Sequence, residues 1–329
     1  METQANINKI TPPGLFRSII SGFNAITNNI SLILFPVLLD LILWFGPKIR
    51  IIELIKPIIL EASELIASIG STELTSIIDT GSQTWNAVIE NYNMLSTLRT
   101  YPIGIPSLIS PMGIVENPLN ASALFEVKSM EIALLSWLVI SFTGIIFGTL
   151  YFNRVAISSS EDDTFSLTNY LSQIVQSLIL TLLLFAIVTL ISIPTGLILS
   201  LISLLSPGIA QISVFVITIF MLWLLLPLIF SPHGIFAYQQ NAFISLITSF
   251  RLVRFFLPGT GFFLLVILLI SEGMDVIWRM PPLDSWMSLI GVIGHAFIST
   301  CLMAASFYYY RGGINWMNEN LNKISKQVV

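Results

Sequence analysis

The chain of 329 residues is 55% hydrophobic and only 10% charged, with a formal net charge of −4. Soluble domains carry nearer ~25% charged residues, so an apolar excess of this size requires an apolar solvent, and the lipid bilayer is that solvent. The slight acidity leaves no basic footprint for a nucleic acid, and the single cysteine, Cys301, excludes a disulfide framework and a cysteine metal cage.

In chain order, residues 1–28 read as a cytoplasmic N-terminal segment ending in an amphipathic helix, Leu15–Asn28 (LFRSIISGFNAITN). The first strongly apolar run, 29–46 (NISLILFPVLLDLILWFG), lacks the small-x-small pattern of a cleaved signal and reads as a retained first span. Residues 47–130 form a long extracytoplasmic helical loop. In it Ile51, Ile52, Ile55, Ile58, Ile59, Ala62, Leu65, Ile66 and Ile69 recur at helical spacing, as do Trp85, Val88, Ile89, Tyr92, Leu95 and Leu98. These predict two amphipathic helices. Pro102, Pro106, Pro111 and Pro118 then keep the following stretch irregular. The expectation is an outer cap of two helices with an extended arm on the membrane face. Its helices either pack on spans and headgroups or form a lid for a partner or ligand.

A second span is predicted over 131–152. The acidic run Glu161, Asp162 and Asp163 then suits a helix N-terminus, and a short in-plane helix is expected at about 163–170. A third span over 171–193 ends at Pro194. Residues 195–206, bracketed by Pro194 and Pro207, are too short to cross and read as an interfacial or re-entrant segment, or else prolong the third span. The fourth span is 209–231, followed by an amphipathic elbow over 241–257 that carries Arg251 and Arg254. Spans five and six are 259–278 and 286–310, with a cytoplasmic tail over 311–329. The fold class is thus an all-α integral membrane bundle of about six spans in one membrane domain, with in-plane elbow helices before the odd-numbered spans and an extracytoplasmic helical cap. The three helix-plus-hairpin units suggest an internal repeat.

Lysine and arginine in short loops set orientation. With the N-terminus inside, Lys9, Arg17, Arg154, Arg251, Arg254, Arg311, Lys323 and Lys326 lie inside, and the short outer loops hold Arg279 alone. Lys48 and Arg50, close to the end of the first span, count against this assignment. Trp44, Trp278 and Trp286 are expected at the outer interface, and Tyr308, Tyr309, Tyr310 and Trp316 at the inner one.

Asp40 stands out chemically. A carboxylate near a helix centre costs ~2.5–3.5 kcal/mol on insertion scales, while each large aliphatic or Phe residue returns roughly 0.3–0.6 kcal/mol. A first span holding a dozen such residues therefore still inserts. Asp40 reads either as a proton- or cation-handling group or as a hydrogen-bonded packing residue. His295, beside Gly291 and Gly294 in the sixth span, is placed at a similar depth; either the two meet in the outer half of the bundle or each bonds to separate serines or backbone. Glu272, Asp275, Arg279 and Asp284 cluster by sequence between spans five and six, as a solvated rim or a cation vestibule. His233 is expected at the interface. Ser177, Thr181, Thr189 and Ser192 are expected to bond between helices. No zinc-protease pair, phosphate-binding glycine loop or nucleophile elbow is present, so no cofactor, metal or catalytic site is assigned.

Residues 240–311 carry Ser249, Arg251, Leu252, Val253 and Arg254 in SFRLVRFF, then an apolar hairpin and a last span ending in FYYYRGG; the first span contains LLDLILWFGP. In these features the chain resembles a group of bacterial six-helix membrane proteins of no settled activity, similar to the membrane domain attached to some glycerophosphodiester phosphodiesterases. The resemblance implies six spans in a bacterial plasma membrane. It implies no catalysis, because phosphodiesterase chemistry in such fusions belongs to a separate soluble barrel. Two functional readings follow. One is a non-catalytic scaffold, assembly factor or complex subunit, in contact with the lipid bilayer and with a protein partner at the 47–130 loop. The other is a transporter or permeation protein with Asp40 in its pathway.

Overall fold

The computed structural model describes residues 12–69, 72–119, 123–160 and 164–327. Its helices are α1 (Leu15–Asn28), α2 (Leu34–Phe45), α3 (Ile52–Ile69), α4 (Thr72–Glu90), α5 (Met130–Ser158), α6 (Leu167–Leu205), α7 (Pro207–Leu225), α8 (Ser231–Tyr238), α9 (Ala242–Phe255), α10 (Leu257–Trp278) and α11 (Ser288–Gln327). Two short strands, β1 (Lys48–Arg50) and β2 (Leu124–Glu126), pair in parallel. The chain is all-α in character. Five helical segments are long and apolar enough to cross a membrane: α5, α6, Gly208–Tyr238, α10 and α11. The count reaches six if α1 and Ile30–Phe45, bent by 93° at the break, form one span.

Several boundaries differ from the sequence reading, each for a physical reason. The third predicted span does not stop at Pro194, and 195–206 is no separate re-entrant segment: α6 runs unbroken to Leu205. Proline removes one backbone donor, but apolar residues on both sides favour a continuous helix, and Thr195 donates to the Ile191 carbonyl at 2.6 Å one turn back. No separate in-plane helix precedes α6, because residues 167–170 are its first turn; Glu161, Asp162 and Asp163 lie outside the described residues. The fourth predicted span is broken after Leu225 by a 3₁₀ turn at Pro227 before α8. The tail beyond 311 is no loose end but the second half of α11. In the 47–130 loop the second predicted helix ends at Glu90, and residues 94–98 form a 3₁₀ turn instead. The parallel strand pair went unseen in the sequence, since three residues are too few for a strand pattern.

Two compact units emerge: Met1–Ile30, Phe152–Ile270 and Cys301–Val329 make one, Ser31–Tyr151 and Ser271–Thr300 the other. In the first, α1 crosses α11 at Gly22, where an added Cβ would stand 2.5 Å from the Ala305 backbone nitrogen. The break at Pro227 is satisfied from α9: Ser249 donates to the Pro227 carbonyl at 2.7 Å and accepts from Phe230 N at 3.1 Å. An aromatic core surrounds this joint. Tyr309 stacks on Phe263 with ring centroids 3.9 Å apart, and Tyr310 and His233 pack on Phe230. Tyr309, Tyr310 and His233 are buried, because α8 and α11 use them to fill the core. Thr181 bonds to the Ser177 carbonyl of its own helix rather than across helices. In the second unit α2, residues 98–119 and α5 pack together, and Trp44 is fully buried, donating to the Leu283 carbonyl at 3.0 Å.

Candidate functional site

The candidate site is a buried polar lock around Asp40, in the unit made of Ser31–Tyr151 and Ser271–Thr300. Residues 98–119 form no regular structure beyond two 3₁₀ turns, the second at Ser110–Met112. Four prolines forbid a helix, so the backbone donors need partners elsewhere. Asp40 supplies them. Its Oδ1 accepts from the Ser107 hydroxyl and from Ile109 N at 3.1 Å, and its Oδ2 accepts from Leu108 N at 3.0 Å. Asp40 is fully buried, as are Ile103, Ser107, Leu108 and Ile109. The arm thus threads into the unit instead of lying on the membrane face. The physical reason is that three donors converging on one carboxylate make both the charge and the irregular backbone tolerable away from water.

Glycines let the arm approach. Gly144 and Gly148 sit one turn apart on α5; an added Cβ would come within 2.5 Å of the Leu98 carbonyl oxygen at the first and 2.9 Å of Gly104 Cα at the second. The small-xxx-small spacing that usually seats a second helix here seats irregular chain. Gly113, at φ +74°, turns the arm against the Asn91 carbonyl, which accepts from Ile114 N at 2.8 Å. Asn117 donates to the Trp44 carbonyl at 3.2 Å. Beside it Lys48, wholly buried, donates to the Leu43 and Trp44 carbonyls at the C-terminus of α2.

His295 bonds not to Asp40 but to another acid. His295 Nδ1 lies 2.6 Å from Asp275 Oδ1, and Arg279 Nη2 reaches Asp275 Oδ2 at 3.3 Å. Asp275 is presented from one turn before Arg279 on α10, and Gly291 and Gly294 allow α11 to lie against Trp278. The Nε2 of His295 and the indole nitrogen of Trp278 are buried without a hydrogen-bond partner. Glu272 and Asp284 are exposed, and of the four residues grouped by sequence Asp275 and Arg279 form an ion pair. Arg251 is exposed, and Arg254 lies 4.1 Å above the Trp223 ring, a cation–π contact.

Ser107 was missed because its partner is 67 residues away and one serine among many carries no signal. Among the described residues no group of three or more His, Cys, Asp or Glu side chains could hold a metal ion. The α3–α4 hairpin opens a groove of about 650 Å³ lined by apolar side chains, among them Ile55, Ile59, Trp85 and Ile89. Compared with known protein families, curated proteins and solved structures, the chain matches none.

Proposed function

We propose that this chain is a non-catalytic multi-pass protein of a bacterial plasma membrane, a scaffold or complex subunit that offers its α3–α4 hairpin to a protein partner. The observation that carries this reading is the enclosure of Asp40. A carboxylate in a permeation pathway needs a wet face, whereas this one accepts three hydrogen bonds from the chain's own arm and has no exposed surface. Its role is to hold residues 98–119, which in turn support the hairpin that precedes them. The groove between α3 and α4, with Trp85 62% and Val88 52% exposed, suits a hydrophobic partner helix.

In this reading six spans cross the membrane, counting α1 with α2 as an in-plane elbow feeding a rising helix, α9 is a second elbow, and the 47–130 loop is an outer cap whose arm, residues 98–119, dips back between α2 and α5. Both termini are cytoplasmic. Lys48 no longer opposes that orientation, because its ammonium closes the end of α2 rather than sitting free in a loop, and Arg50 is 3.7 Å from Glu126.

The test uses the full chain with a photo-crosslinking residue at position 88. Crosslinking in native membranes to one defined protein, lost on Trp85→Glu while thermal unfolding is unchanged, is the expected outcome. Ion or proton flux into liposomes that wild type supports and Asp40→Asn abolishes would overturn it in favour of permeation.

A further inference from the structure

Helix α9 keeps its hydroxyls in and its aromatic rings out. Ser245 and Ser249 are wholly buried alongside Leu252 and Val253, and they donate to the carbonyls of Ser231 and Pro227. On the outward face Phe243 is 62% and Ile244 49% exposed, and Phe250 and Phe255 are exposed as well. A helix that hides serine and shows phenylalanine suits hydrocarbon around it rather than water. Its two charges, Arg251 and Arg254, are nevertheless exposed, at the C-terminal end of the helix. Hydrocarbon does not hold a bare guanidinium, so this end of α9 belongs at the level of lipid headgroups.

Arg254 is held in place there. Its guanidinium lies 4.1 Å from the ring of Trp223 on α7 and 5.0 Å from the ring of Phe250 one turn back. Trp223 in turn stacks with Phe220, ring centroids 6.3 Å apart. Stacking uses the flat faces of a guanidinium and leaves its N–H edge to meet a second group. Arg251 stands three positions earlier, so the Cβ atoms of the two arginines are ~5–6 Å apart. The negative end of the helix dipole accounts for a cation in the last turn, at Arg254, but its influence fades beyond that turn and does not account for Arg251. Two like charges at this spacing repel, and an anion with several oxygens between them removes the repulsion. Around the pair the surface is apolar: Phe220 and Trp223 on α7 and Phe250 on α9 are all exposed.

We propose that the α7–α9 corner binds a net-anionic phospholipid, its phosphate shared by Arg251 and Arg254 and an acyl chain lying against Phe220 and Trp223. The apolar rings on both sides of the charge select a lipid over a soluble phosphate. A phosphatidylcholine headgroup is a weaker ligand, because its trimethylammonium meets the same two arginines. The inference rests on α9 lying at the bilayer surface and is independent of a partner at the α3–α4 hairpin.

The full chain is reconstituted in phosphatidylcholine nanodiscs that contain a small fraction of either phosphatidylglycerol or phosphatidylcholine brominated on its acyl chains. Quenching of the tryptophan fluorescence that Trp223→Phe removes reports which lipid sits at the corner. Brominated phosphatidylglycerol is expected to quench this signal at about tenfold lower mole fraction than brominated phosphatidylcholine, the scale of one charge-assisted contact. Arg251→Gln and Arg254→Gln each remove most of that preference, and the double variant removes all of it. Lysine at position 251 restores part by returning charge without the planar fork, and Lys323→Gln, on exposed α11 surface, leaves the preference intact. If Arg254→Gln does not fold, Arg251→Gln carries the same reading, and added salt must weaken the preference in wild type. Equal quenching by the two brominated lipids, or a double glutamine variant that keeps the preference, overturns the proposal and leaves α9 as an elbow. Loss of the preference on adding millimolar inorganic phosphate overturns the lipid in favour of a soluble phosphate. Quenching by neither lipid overturns the proposal and the surface position of α9 together.

Discussion

The arm of residues 98–119 and the α6–α7 pair meet the same constraint in opposite ways. Away from water every backbone donor and acceptor needs a partner within the protein. Helices α6 and α7 satisfy it internally, residue by residue, so almost none of their side chains need burial: only 11% and 6% of their most apolar windows are buried. They tolerate Pro194 in mid-helix for the same reason. The arm has four prolines and no internal ladder, and it persists because Asp40, Asn91, Trp44 and the Gly144–Gly148 step of α5 provide acceptors and room. In an apolar medium helix is therefore local and robust, whereas irregular chain is non-local and depends on a few side chains.

That contrast can be broken most directly at Asp40. Asp40→Ala strands three buried donors, each worth about 1–3 kcal/mol, so a loss of roughly 3–5 kcal/mol is expected in detergent unfolding. Proteolysis within 98–119 should rise with it, and Asp40→Asn should lose about half as much. A loss below about 1 kcal/mol would erase the distinction between the two regions. Next in size is Gly148→Ala. Its new methyl would meet the Gly104 backbone at 2.9 Å, and a cost of roughly 1–3 kcal/mol is expected from overpacking.

Lys48 sharpens the comparison through pH. Burial holds its ammonium below the usual lysine range. The folded chain thus releases this proton at lower pH than the unfolded one. The cost of burying the cation is fully present below the folded pKa and is relieved as pH rises from there toward 10.5. Stability should rise through that alkaline window in wild type, and the slope should shrink in Lys48→Met, measured as unfolding midpoint against pH. The smallest effects belong to α6. Gly196→Ala adds a methyl that meets nothing within 4 Å, and stability should stay level or gain up to ~1 kcal/mol. Pro194→Ala should likewise shift unfolding by less than about 1 kcal/mol, in contrast to the arm variants.

The same contrast governs what was legible in the sequence. Long apolar runs announced α5, α6, α10 and α11, and the amphipathic pattern marked α1 from Leu15 to Asn28, because helix is written in local periodicity. Asp40 and His295 were legible as polar anomalies in apolar runs. Their partners were not, since Ser107, Leu108 and Ile109 reach Asp40 through backbone and hydroxyl groups that leave no pattern, and Asp275 competes for His295 from a neighbouring helix. Breaks failed in the other direction: Pro194 looked like an end and is not one, while Pro227, whose freed carbonyl Ser249 captures, is.

The 67-residue separation between Asp40 and Ser107 also has a temporal meaning. Translation delivers α2 to the insertion machinery long before the donors that complete it leave the ribosome. The nascent helix must be accepted on the strength of its leucines and isoleucines alone, with its acid still bare. Gly144 and Gly148 emerge later again, so the lock can close only after α5 has been made.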